Sequence, residues 1–70
     1  MTRQYVKVVK RAALARKVKL WLTKDGYRFK IRNYDGHIWQ WVDSSVYVTK
    51  HLAWRGFAEK WGDRFITKGE

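Results

Sequence analysis

The chain has no cysteine, no proline, only six acidic residues against sixteen Lys and Arg, and no long apolar run. Without cysteine no disulfide can staple a small fold, and two histidines with no thiolate do not make a closed tetrahedral zinc site. No metal and no cofactor are expected. The lack of thiols fits a reducing compartment, and the first residues lack the apolar stretch of a secretory signal, so a cytoplasmic protein is expected. Nothing approaches the ~18 consecutive apolar residues of a spanning helix, which predicts no membrane crossing. No Gly/Ser-rich or low-complexity stretch marks a linker, so the 70 residues read as one domain.

A domain this small buries only about 60% of its unfolded surface. Its core must come from aromatics, and the chain carries five Trp, four Tyr and three Phe. Each large ring can bury roughly 150–250 Å². The net charge is +10, unevenly spread. Residues 1–35 hold eleven Lys or Arg against Asp25 and Asp35, whereas residues 36–70 hold five against Asp43, Glu59, Asp63 and Glu70. Such asymmetry marks a polyanion-binding surface, with a plain solvated basic face as the competing reading.

Residues 17–23 (Lys17, Val18, Lys19, Leu20, Trp21, Leu22, Thr23) alternate as a half-buried strand does. Asp25-Gly26 reads as a two-residue hairpin turn, after which Tyr27, Arg28, Phe29, Lys30, Ile31 and Arg32 alternate again. That turn predicts Lys24 opposite Tyr27, Leu22 opposite Phe29 and Leu20 opposite Ile31. The apolar residues of both strands then share one face, and Lys17, Lys19, Trp21, Arg28, Lys30 and Arg32 share the other. A third strand is expected over residues 37–42, which are rich in aromatic and β-branched side chains. A type I turn with a bulge at residues 33–36 would put Trp39 and Trp41 in the core. A tight Asp35-Gly36 turn would put them beside Arg32 and Lys30 instead. Burial is the favoured reading, because so short a chain needs apolar area.

Residues 49–61 predict a helix with Thr49 as N-cap and Gly62 beyond its C-terminus. Ala53, Trp54, Phe57, Ala58 and Trp61 form its inward stripe, and Trp54, Phe57 and Trp61 are expected to be structural. Gly56 is costly inside a helix and implies close approach of a sheet side chain. Residues 3–16 suit a weak helix, with a strand as the alternative, and form a basic N-terminal extension. Residues beyond Ile66 are expected to fray. The fold class is α+β: a three-stranded antiparallel sheet packed on one C-terminal helix, with the core over residues 17–62 and a tail over 63–70.

Tyr27-Arg28-Phe29-Lys30-Ile31, Gly36, and then Tyr47, Lys50, Ala53, Gly56 and Phe57 resemble the pattern of the small YegP-like family. The resemblance covers about half the chain. It implies a three-stranded antiparallel sheet followed by one helix and, because family members often carry two tandem units, pairing of two copies into a homodimer. Phe57 stands where that family usually has an aliphatic residue, and the segment before Val18 has no counterpart. The resemblance implies no activity.

Cations that neutralise phosphates, with planar side chains for stacking, are what nucleic-acid binding requires. Lys17, Lys19, Trp21, Arg28, Lys30 and Arg32 supply both on one face. Arg3, Lys7, Lys10, Arg11 and Arg16 form a second basic cluster, of which Arg11 and Arg16 are the favoured contacts; a solubilising tail is the competing reading. The expected partner is DNA or RNA, bound with little sequence specificity. An acidic protein surface, as a small inhibitor of a nucleic-acid-processing complex would use, is the alternative. Catalysis is not expected: His37 and His51 have no evident partners, Ser44 and Ser45 read as loop or capping residues, and Asp43, Glu59 and Asp63 as surface charges.

Overall fold

The computed structural model describes residues 2–32 and 38–66. Helix α1 (Arg3–Ala15) is followed by strands β1 (Val18–Thr23), β2 (Gly26–Arg32) and β3 (Trp39–Trp41), and helix α2 (Lys50–Phe65) closes the described chain. The three strands form one antiparallel sheet in the order β1-β2-β3. The α+β class expected from the pattern is the class observed.

Alternation sets the facing of the β1–β2 hairpin, but its turn lies one residue earlier than expected. Thr23 pairs with Gly26, Leu22 with Tyr27, Leu20 with Phe29 and Val18 with Ile31. Lys24 and Asp25 therefore make the turn, and the expected pairs of Leu22 with Phe29 and Leu20 with Ile31 are each displaced by two. A displacement of two leaves every side chain on its own face. Gly26 is needed by the other edge of β2. It has φ 135°, and a Cβ there would lie 2.6 Å from the carbonyl oxygen of Tyr47, whose backbone pairs with Tyr27 through N–H···O bonds of 2.7 and 2.9 Å. Thr23 holds the turn by donating its hydroxyl to the Gly26 carbonyl at 2.7 Å.

The third strand corrects the favoured facing. Lys30 pairs with Trp41, Ile31 with Gln40 and Arg32 with Trp39, so both tryptophans stand on the cationic face and not in the core. The turn that leads there, residues 33–37, lies outside the described residues, as does the expected fraying beyond Ile66. The apolar area assigned to those tryptophans is supplied by α1. Its Val9 and Ala13 are fully buried, and Tyr5 and Val6 pack beside them against the core. Residues 3–15 are thus a packed element of the fold, with Thr2 capping the helix by accepting from the Tyr5 N–H.

Thr49 caps α2 as the sequence implies, its hydroxyl accepting from the Leu52 N–H at 3.1 Å. The helix does not stop at Trp61 but continues to Phe65. Gly62 is inside it because the Tyr5 hydroxyl occupies the space a side chain would need. Gly56 likewise leaves room for the Tyr47 ring. Ala53, Trp54, Phe57 and Ala58 are buried, whereas Trp61 is half-buried with the Arg64 guanidinium 4.6 Å from its ring centre. Phe29 is the sheet's main contribution to this layer, its ring 4.8 Å from Trp54 and 4.6 Å from Phe57.

Candidate nucleic-acid interface

With Phe29 and its neighbours covered by helix, the other sheet face carries only the outward side chains of three strands. Central β2 contributes Arg28, Lys30 and Arg32; β1 contributes Lys19 and Trp21 on one side, and β3 contributes Trp39 and Trp41 on the other. The rings and charges interleave. Lys30 Nζ lies 4.7 Å from the Trp21 ring centre and 4.2 Å from that of Trp41, Arg28 lies 4.4 Å from Trp41, Arg32 lies 5.3 Å from Trp39, and Lys19 lies 5.7 Å from Trp39. Trp21 and Trp39 meet edge-on across the sheet at 6.0 Å. Ring quadrupoles thus hold the cations in place, a weak attraction that leaves their charge uncompensated.

No described carboxylate pairs with this face. The ion pair among the described residues joins Lys60 to Asp43 at 2.9 Å, on the loop before α2. Lys19 and Lys30 even face each other directly in the β1–β2 register, where like charges are destabilising. The Arg28 Nε is buried with no hydrogen-bond partner. Trp21 and Trp41 remain 39% and 41% exposed, so two indoles are open to a ligand alongside the cations.

The remaining predicted contacts are placed elsewhere. Lys17 lies between the C-cap Arg16 of α1 and the start of β1 and takes φ 69°, so strand alternation does not position its side chain. Its carbonyl accepts from the Arg32 N–H at 3.2 Å, which keeps its backbone in register with the sheet. Arg16 is tied to α2: its Nη1 donates to the Arg64 carbonyl at 2.9 Å and its guanidinium lies over Phe65. Arg11 is exposed on α1, away from the sheet face. Trp39 and Trp41 belong to this face, the placement that the sequence offers as the alternative to their favoured burial in the core. The signal for them was the phase of the third strand, in which Ile38, Gln40 and Val42 alternate against the two tryptophans.

Asp43 is more than a surface charge. Burial pushes its carboxyl up, but hydrogen bonds from Lys60 and from the Ser45 backbone and side chain, with the Lys60 charge, outweigh burial and hold it below the ordinary carboxylate range. The Asp43 hydrogen bond in turn raises Lys60. Lys60 also donates to the Ser45 hydroxyl at 3.1 Å, so the loop is fastened to α2. His51 is exposed on the first turn of α2, and His37 lies outside the described residues.

No protein-family model, no curated protein and no solved structure matches the chain. Among the described residues no helix is long and apolar enough to cross a membrane.

Proposed function

We propose that this is a small, non-enzymatic nucleic-acid-binding protein that lays its bare sheet face on a phosphate backbone. The observation that carries the reading is the set of Lys19, Arg28, Lys30 and Arg32 on one face, spaced by Trp21, Trp39 and Trp41 and free of described carboxylates. Four cations without counter-charges among the described residues repel one another in the free protein. A polyanion relieves that repulsion and releases its own condensed counterions. The indoles add flat surfaces for sugars or unpaired bases, which tolerate any sequence. Contacts to phosphates and stacking on ring faces carry no sequence information, so little base specificity follows.

The test is binding of the Arg28→Glu, Lys30→Glu, Arg32→Glu variant to labelled duplex DNA, single-stranded DNA and RNA, with circular dichroism to verify its fold. We expect a folded variant whose affinity falls by at least about 100-fold, since three phosphate contacts become repulsions. Undiminished affinity would remove the sheet face from the proposal.

A further inference from the structure

A second cationic surface lies in the helical layer, on the side of the sheet away from Trp21, Trp39 and Trp41. It is an open cleft of about 600 Å³ between the N-terminal parts of the two helices. Arg3, Lys7 and Lys10 follow one another at helical spacing along α1, and Lys50 and Arg55 approach from α2. Thr2, Val6, His51 and Trp54 complete the lining, and no carboxylate is part of it among the described residues. Trp54 is its apolar floor, with Lys10 Nζ 5.7 Å from the ring centre. None of the five cations has an ion-pair partner among the described residues.

This arrangement works against the free protein. Neither helix has an acidic residue in its first turn, and Arg3 and Lys50 place positive charge where the backbone dipole is already positive. An anion in the cleft reverses that term and is attracted by five side chains as well. A row of cations along one helix with others opposite suits a chain of phosphates, and the row belongs to the helical layer, apart from the sheet face. We infer that the cleft holds the backbone of a second nucleic-acid segment, so that one copy of the chain bridges two segments. The inference rests on the reading of the sheet face given above.

The experiment mixes donor-labelled and acceptor-labelled DNA oligonucleotides, duplex in one series and single-stranded in another, with less protein than DNA, and reads energy transfer together with simple binding. The wild-type chain should bring the two labels together. Lys7→Gln, Lys10→Gln, Lys50→Gln should still bind one oligonucleotide through the sheet face, while energy transfer falls by at least about tenfold as three phosphate contacts are lost. Lys7→Arg, Lys50→Arg, which keeps the charge, should bridge as the wild type does. Binding without energy transfer in the wild type would overturn the inference and leave the sheet-face reading standing. Bridging that persists in the glutamine variant would also overturn it, because two paired copies would then be the bridge. Failure of the wild type to bind any oligonucleotide would overturn both readings.

Discussion

Phe57 is 1% exposed, and its ring lies 4.6 Å from Phe29, 5.7 Å from Trp54 and 5.4 Å from Phe65. It joins α2 to the sheet through Phe29. Removing so enclosed a ring leaves a cavity that a small domain cannot close, so Phe57→Ala should cost about 3–5 kcal/mol in a chemical melt. Trp61 has the larger ring but is half-buried, so Trp61→Ala should cost only about 1–2 kcal/mol. Equal losses in the two variants would contradict this division. The contrast was not legible in the sequence, where both residues sit on the same helical stripe. What separates them is the third dimension: Phe57 lies under Phe29, whereas Trp61 reaches the rim, where Arg64 covers it.

At the scale of elements, local patterns were reliable where one rule acted alone. The alternation of β1 and β2 gave their facing, and Thr49 gave the start of α2, because pleat and capping are short-range properties. The turn, the facing of β3 and the end of α2 were settled by distant partners. Gly26 serves the Tyr47 strand edge more than the turn, Tyr5 makes Gly62 a helix-interior residue, and α1 supplies the burial that made a buried Trp39 and Trp41 look necessary. Gly56 is the position where this is most easily measured. On propensity alone Gly56→Ala would stabilise a helix by about 1 kcal/mol. With the Tyr47 ring in that space, the substitution should instead destabilise by about 1–3 kcal/mol. In a Tyr47→Leu background much of that penalty should vanish; additive losses would show that ring and glycine are not coupled.

The loop from Asp43 to Ser45 is joined to α2 by an ion pair whose sign with pH is fixed. The folded Asp43 carboxyl is held low, so its contribution is fully present above the unfolded pKa and is lost as pH falls through the folded one. Lys60 is raised, so its contribution is present below its unfolded pKa and is lost as pH rises through the folded one. The wild type should therefore lose its stability advantage over Asp43→Asn below about pH 4. Parallel pH–stability curves for the two proteins in that range would show that the ion pair plays no part.

For the molecule as a whole, nine of the sixteen Lys and Arg gather on two surfaces: four on a sheet face in which aromatic rings separate the cations, and five in a helical cleft lined on both sides by Lys and Arg. The sheet face was largely readable in advance, because alternation alone brings Lys19, Trp21, Arg28, Lys30 and Arg32 together. The cleft was not, because it unites residues 3–10 with residues 50–55, and only the packing of α1 against α2 makes them neighbours. Among the described residues neither surface has an ion-pair partner, and the self-repulsion this implies is what the proposed polyanion would relieve. The most direct measurement of that role is the salt dependence of duplex DNA binding in the wild type and in Arg28→Gln, Lys30→Gln, Arg32→Gln. If the three side chains neutralise three phosphates, the plot of log affinity against log salt should be shallower by about 2.7 in the variant, at roughly 0.9 per contact. Identical slopes would mean that the sheet face meets no phosphate.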